Sequence, residues 1–388
     1  MGVNERAESA ALRFVLPTSA VTIAPLGNGH IHDTYAVATV PAPSSEYVLQ
    51  RINRHVFPDV AAVMRNLVRI IAHLDRRIVR TGGDPARETL SLIPALEGDF
   101  FWVDDAGDAW RMFRRIDAAR SPSVAEALGL AREIGAAFGR FVRLLSDCRE
   151  PVSEVLPGFH DTRNRIRLLQ EAFDDHRTGR GQTVRSDADF ALQRAERAGR
   201  LGELAQGGII PTRLIHNDTK YDNVLIDEVS RRAVCVIDLD TVMSGIAPLD
   251  LGDCARSILV ESERGTREPG LSKDGVNAFE RLAAGFLAET SGWFTASEVA
   301  QIVPATWTVT LECGVRFLTA HLTGDAYFKA KKPEENLSRC RQHFELVRRL
   351  ETSLPQLEDA VGRAWRVSQH SRGSGTIPLQ QDRGEARG

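Results

Sequence analysis

The sequence predicts an α+β fold in two lobes, a small β-rich lobe followed by a larger helical one. Three observations lead there. Over the first ~115 residues, short β-branched and aromatic runs alternate with turn signals around one helical pattern. From Ser121 onward, apolar residues recur mainly at helical spacing. Length and composition agree: the chain has 388 residues, 43% of them hydrophobic, which suffices for two cored lobes of ~150 residues each.

In chain order, residues 21–26 form a first strand that runs into Gly27-Asn28-Gly29, read as a hairpin turn before a second strand at 34–40. A third strand follows at 47–52. Residues 60–74 carry Val63, Leu67, Ile70, Ile71 and Leu74 on one helical face, with Pro58-Asp59 as start signals. Strands at 100–103 and 109–116 close the first lobe, assigned to residues 1–116, and a linker is placed near 116–122. The second lobe, 117–366, opens with a helix over 124–145 and another near Asp161-Thr162, where the aspartate suits an N-cap. An arginine-rich loop at 176–186 leads to a helix ending near Ala205. Residues 211–240 read as loop and hairpin, and helices fill 274–289, 296–317 and 335–351. The polar stretch 367–388 is expected to be a disordered tail.

Charge and cysteine content narrow the function classes. A net charge of −3 and 26% charged residues suggest neither nucleic acid nor a membrane surface as partner. Cys148, Cys235, Cys254, Cys313 and Cys340 are scattered singly, which fits reduced thiols in the cytoplasm. No secretory leader pattern opens the sequence, and no apolar run approaches the ~20 residues that span a bilayer. Oligomeric state is not specified at this level.

The chemistry concentrates in LIHNDTKYDNVLIDEVSRRAVCVIDLD, residues 214–240. His216-x-Asp218-x-x-x-x-Asn223 has the spacing of a phosphotransfer catalytic loop, and Asp238 follows after a hairpin. Phosphoryl transfer needs a carboxylate to orient and deprotonate a hydroxyl, and cations to hold phosphate oxygens. Asp218 is the candidate base. Asn223 and Asp238 are hard oxygen ligands of the kind Mg²⁺ takes, and a hairpin centred between Ser230 and Arg231 would set them opposite each other. His216 reads as a residue that holds the loop. Lys220 either reaches a phosphate of ATP as a point charge or is simply solvated. Asp240 reads as a neighbour supporting the metal site, and Asp250 and Asp253 as loop braces or helix caps.

HNDTKYDNVLID, VIDLDT and PLDLGD together resemble the aminoglycoside phosphotransferase and choline kinase group. PLGNGHIHDTY, YVLQRINRHVFPD, GFHDTRNR and ECGVRFLTAHLTGDAYFK extend the resemblance over roughly residues 20–350, closest to its N-acetylhexosamine 1-kinase branch. The resemblance implies a bilobal protein-kinase-like fold with ATP and Mg²⁺ between the lobes. It implies an amino-sugar substrate, phosphorylated at the anomeric hydroxyl of GlcNAc or GalNAc. It implies sugar contacts from Arg316 and Tyr327, with Gly324 threatening the helix that would join them. Backbone amides of the Gly27/Gly29 turn are placed to cover phosphates of ATP, and His30 and Asp33 beyond it to point to the sugar. Arg51 matches an arginine on the third strand expected to meet phosphate, but its usual helix glutamate is missing from 60–74. Other acceptors stay open: choline-like amino alcohols, another sugar, an aminoglycoside. A non-catalytic binding module is the remaining alternative. The 6% aromatic content and the lack of a late acidic cluster favour a neutral acceptor over a cationic one.

Overall fold

The computed structural model of the protein describes residues 3–27, 31–41, 46–175, 179–325, 328, 330, 332 and 334–373. It is a mixed α+β structure, with an antiparallel sheet in its N-terminal part and a larger helical part behind it. Helix α1 (Val3–Ala11) comes first, then β1 (Val21–Pro25), β2 (Asp33–Thr39), β3 (Glu46–Arg51), α2 (Val60–Arg80), the short α3 (Pro85–Glu88), β4 (Leu92–Ile93), β5 (Trp102–Val103) and β6 (Ala109–Arg114). The sheet runs β1-β2-β3-β6-β4, with β5 also on β6.

Alternation gives this sheet two buried faces. Tyr47 and Leu49 of β3, with Trp110 and Met112 of β6, pack under Ala7, Ala10 and Ala11 of α1. Ile52, just past β3, and Phe113 of β6 have the opposite alternation and turn to the main core with α2. The β1–β2 register runs from Val21↔Thr39 to Pro25↔Tyr35, and most of the expected Gly27-Asn28-Gly29 turn lies outside the described residues. Gly27 itself is at φ +71°, a left-handed conformation that favours glycine.

The helical part begins at β7 (Ala119–Arg120) and continues through α4 (Val124–Leu145), α5 (Thr162–Asp174), α6 (Arg185–Leu192), α7 (Ala195–Gln206), β8 (Arg213–Ile215), β9 (Val224–Asp227), β10 (Ala233–Val236) and β11 (Met243–Gly245). The remainder is α8 (Ala247–Ser262), α9 (Lys273–Thr290), α10 (Ala296–Val299), α11 (Ile302–Leu322), α12 (Glu335–Thr352) and α13 (Leu354–Gly373). Helix α4 starts at a capping box between Ser123 and Glu126. It crosses α9 closely because Gly135 of α4 meets the Leu282 backbone and Gly285 of α9 meets the Arg132 backbone without a side chain between them.

Three expectations need correction. The helix predicted over 296–317 is two helices, broken at Ala300-Gln301. Restarting at Ile302 places Pro304 in a first turn, where its missing N–H costs nothing. The tail predicted from 367 is helical to Gly373, as the end of a helix anchored in the main core by Leu357, Ala360, Val361 and Ala364; the rest of the predicted tail lies outside the described residues. The loop predicted over 176–186 contains a 3₁₀ turn at Gly181–Val184 that leads into α6. Gly324, at φ +88°, follows the end of α11 as anticipated. Among the described residues, no helix is long and apolar enough to cross a membrane, and all five cysteines are free.

Candidate active site

The segment 216–223 lies between β8 and β9 and is held by side chains that bond backbone groups. Asp250, in the first turn of α8, accepts the amides of His216 and Asn217, each at 2.8 Å. Asn217 sits at φ +67°, a left-handed bend, and its side-chain amide donates to the carbonyl of Thr241 at 2.9 Å. The His216 ring is buried against the edges of Phe138 and Phe141. Its Nδ1 accepts the Asp218 amide at 3.2 Å, so its Nε2–H donates to the Ile237 carbonyl at 2.9 Å. One neutral imidazole thus joins the peptide before Asp238 to the amide of Asp218. The loop-holding role read for His216 is what its contacts provide. Asp250 braces the loop as anticipated, and burial pushes its carboxyl up to about 6 against the pull of His216 and the two amides.

Asp218 projects into a cleft of ≈ 530 Å³ and pairs with Lys220 Nζ at 3.0 Å. Burial opposes ionisation of Asp218, but Lys220 outweighs it and holds the carboxyl below its ordinary value. Lys220 is shifted up in turn: burial opposes its charge, while Asp218 and Asp238 favour it. A solvated, idle Lys220 is therefore not what the structure contains. Asp238 takes a left-handed conformation, φ 64° and ψ 55°, at the end of β10. Its carboxyl is shifted up by burial and by the neighbouring Asp240 and Asp218 carboxylates.

The predicted hairpin register needs correction. Ile237, not Asp238, stands opposite Asn223, with the Ile237 amide on the Asn223 carbonyl at 2.9 Å. The turn comes one residue earlier than expected, with the Asp227 amide on the Arg232 carbonyl, and the register shift between Ala233 and Cys235 recovers only part of the offset. The left-handed turn at Asp238, not cross-strand pairing, brings its carboxylate into the cleft. Asn223 is buried, and its Nδ2 donates to the Asp218 carbonyl at 2.8 Å. Its side chain does not line the cleft wall as Asp218 and Asp238 do.

Oxygen and nitrogen atoms of His32, Asp238 and Asp240 lie within 4.8 Å of one another, a spacing that suits a cation. Two of the three are already committed. Asp240 is gripped by both terminal nitrogens of Arg111 and by His32 Nε2 at 2.7 Å. His32 Nδ1 accepts the Asn53 amide at 3.1 Å, which assigns the proton to Nε2 and leaves the ring no lone pair for a metal. Asp238 is then the member with a carboxylate to offer. Asn223 adds an Oδ1 that accepts no hydrogen bond among the described residues. An oxygen pair of this kind, crowded by like charge, fits Mg²⁺.

The other predicted residues fall in different places. Gly29, His30 and Tyr327 lie outside the described residues. Gly27 belongs to the β1–β2 loop. Arg316 on α11 lines the cleft, its guanidinium 5.0 Å from the ring of Phe159 and 5.4 Å from that of Phe328. Arg51 and Asp33 do not line it. They are register partners on β3 and β2, paired to each other, and Arg51 Nη1 also reaches Asp108 at 2.9 Å. Their strand face is the one covered by α1, since Arg51 follows Tyr47 and Leu49 in alternation. Asp33 and Asp108 thus replace the helix glutamate that 60–74 lacks. The face toward the helical part carries Gln50 and Arg111 instead, with Arg111 Nε donating to Gln50 Oε1 at 3.0 Å. Sequence reasoning missed Arg111 and His32. An arginine in the centre of the apolar strand Ala-Trp-Arg-Met-Phe was the available signal, since such a charge is buried only when paired.

A family model described as the phosphotransferase enzyme family matches residues 22–287, more than half of the chain. The chain belongs to the phosphotransferase enzyme family. Solved structures share the phosphotransferase's fold at low identity. A microcompartment-associated aminopropanol kinase superposes with a TM-score of 0.60 at 15% identity, covering 91% of this chain and 98% of that one. An amicoumacin kinase in complex with AMP-PNP, Ca²⁺ and Ami gives 0.59 at 14% identity, covering 89% and 93%. An ethanolamine kinase of Plasmodium vivax gives 0.57 at 11% identity, covering 84% and 82%. The phosphotransferase therefore has the bilobal, protein-kinase-like fold expected of it, with the 216–240 segment inside the family match.

Proposed function

We propose that this phosphotransferase transfers the γ-phosphate of ATP to the anomeric hydroxyl of an N-acetylhexosamine, giving the sugar 1-phosphate. One observation carries the reading of the chemistry: Asp218, kept ionised by Lys220, stands in the same cleft as Asp238 on a loop clamped by side-chain bonds to backbone. Asp218 orients the acceptor hydroxyl and takes its proton as the new O–P bond forms. The bond from the γ-phosphorus to the bridging oxygen breaks, and ADP leaves. Lys220 faces both Asp218 and Asp238 and offsets negative charge gathered there. Asp238 and Asn223 are the residues to hold Mg²⁺, which when bound neutralises the phosphate oxygens of ATP.

The acceptor is read from the cleft's helical wall. Arg256, Arg264, Arg316 and Arg339 line it, beside Phe159, Phe317 and Phe328. Besides Asp218, Asp238 and Asp240 of the catalytic segment, the cleft's acids are Asp222, Glu261 and Glu335, and Glu261 and Glu335 are themselves paired to Arg264 and Arg339. A wall of this balance offers a cationic acceptor little attraction, whereas arginine donors and aromatic faces suit a neutral sugar with its amide. Two fold neighbours are named as aminopropanol and ethanolamine kinases, which keeps an amino alcohol as the second reading.

A panel of N-acetylhexosamines, other sugars, amino alcohols and aminoglycosides, incubated with MgATP and followed by phosphorus NMR, tests this. The expected product is an anomeric phosphate, and Asp218→Asn lowers its rate about 10²–10⁴-fold. Turnover of an amino alcohol but no sugar would replace the first reading with the second. No ATP consumption with any acceptor would end both.

A further inference from the structure

His160 lies in the loop before α5, next to the N-cap Asp161, and the reaction sketched above gives it no task. Its ring is almost fully buried, and both nitrogens point at acceptors. Nδ1 is 2.9 Å from Glu312 Oε1, and Nε2 is 3.0 Å from the carbonyl of Asn217. One proton must lie between Nδ1 and Oε1, and it belongs on the imidazole, because Glu312 is ionised: its Oε2 also accepts Thr162 Oγ1 at 2.6 Å. Its carboxyl is also held below its ordinary value: burial opposes this, but His160 outweighs it. A carbonyl donates nothing. A neutral imidazole has one N–H and could make only one of these bonds, so the arrangement calls for two.

The Asn217 carbonyl belongs to the same peptide unit as the Asp218 amide. That unit is gripped on one side by His160 and on the other by His216 Nδ1. It follows a left-handed residue, Asn217, a conformation that costs energy for a side-chain-bearing residue and must be held from outside. Glu312 stands one helical turn before Arg316 on α11, and Phe159, beside His160, touches the Arg316 guanidinium. We propose that His160 is a positioning residue for Asp218: as an imidazolium between Glu312 and the Asn217 carbonyl, it ties the 216–223 loop to the helix that carries Arg316. This rests on the reading of Asp218 as the base.

The charged groups facing His160 are Glu312 and Arg316 from α11 and Asp250 and Asp253 from α8. Burial works against its charge, but Glu312, Asp253 and the Asn217 carbonyl raise its proton affinity overall. A raised histidine contributes fully at low pH and loses its contribution as pH rises through the folded value. Deprotonation then releases either the Asn217 carbonyl or Glu312. A ≈ 360 Å³ cavity behind the loop, lined by His160 and Asn217, leaves the ring reachable by base.

Three measurements on the full chain test the proposal. Nitrogen NMR of ¹⁵N-histidine protein at pH 7.5 should show both His160 nitrogens protonated, where an ordinary histidine of pKa ~6.5 is neutral. A neutral ring there overturns the proposal. His160→Gln should lower kcat about tenfold or more with KM for ATP within about twofold, given how steeply rate depends on positioning. An unchanged kcat in folded protein overturns it. Should His160→Gln fail to fold, Glu312→Gln should move the alkaline fall of kcat roughly one pH unit or more lower, and an unmoved limb overturns the proposal. Asp218→Asn separates the two claims: if it stays active, the base assignment fails while the NMR result still reports the His160 charge.

Discussion

Arg111→Met is the perturbation with the clearest physical consequence. Arg111 and Asp240 are 1% and 3% exposed, and they join the sheet to the segment just after Asp238. The substitution keeps the apolar stem but removes a bidentate grip on Asp240, including the 2.8 Å bond from Nη2 to Oδ2, and both bonds to Gln50. Asp240 is left buried with His32 as its remaining partner. Breaking a buried pair from one side costs about 3–5 kcal/mol, and the lower end applies because His32 Nε2 still donates to the Asp240 carboxylate. For a chain of 388 residues, at about 2.1 cal/mol/K of unfolding entropy per residue, 3 kcal/mol corresponds to a Tm lowered by roughly 4 °C. Arg111→Met/Asp240→Asn should recover most of that loss, because the stranded charge is gone. The pH dependence has a definite sign. Burial opposes the charge on Asp240, but Arg111 and His32 outweigh it and depress its pKa. A depressed carboxylate contributes stability above its unfolded pKa and loses it as pH falls through the folded one. In Arg111→Met the loss begins at a higher pH. Calorimetric melts of the three proteins between pH 4 and 8 measure all of this. A Tm shift under about 1 °C for Arg111→Met, or a double variant no more stable than the single one, would refute the reasoning.

Three further outcomes follow from the geometry. Lys220→Met removes the charge that keeps Asp218 ionised, so kcat should fall about 10²-fold, and the acid limb of kcat/KM should move up by roughly one pH unit, read from rate profiles. Arg51→Gln should leave KM for ATP within about twofold while lowering Tm slightly, because Arg51 bonds Asp33 and Asp108 on the face under α1; a large rise in KM would restore it as a phosphate contact. Gly285→Ala would set a Cβ 2.0 Å from the Arg132 carbonyl oxygen of α4, so the two helices must part, at about 1–3 kcal/mol or more in an equilibrium melt; a neutral result would mean the crossing is looser than described.

The outline of the site was legible in sequence because its residues are close in sequence. His216, Asp218, Lys220 and Asn223 lie within eight positions, and Asp238 follows one hairpin later, so spacing alone brought them together. Helix starts at Asp59 and Asp161 were legible for the same reason, since a cap is a local event. What failed depended on a single residue of register. The β9–β10 turn comes one residue earlier than expected, so Asn223 faces Ile237 rather than Asp238. One step of alternation separated Arg51, under α1, from Gln50 on the face that meets Arg111. A period of two makes such errors total: a side chain is on one face or the other.

The sequence by itself determined the fold class, the family and the loop on which Asp218 sits. Only the tertiary structure decided what surrounds that loop. Arg111 reaches Asp240 across 129 positions and His160 reaches the Asn217 carbonyl across 57. The physical reason is burial. A charge or an imidazole with no access to water must find its partner wherever the chain packs, and nothing local in the sequence records where that is.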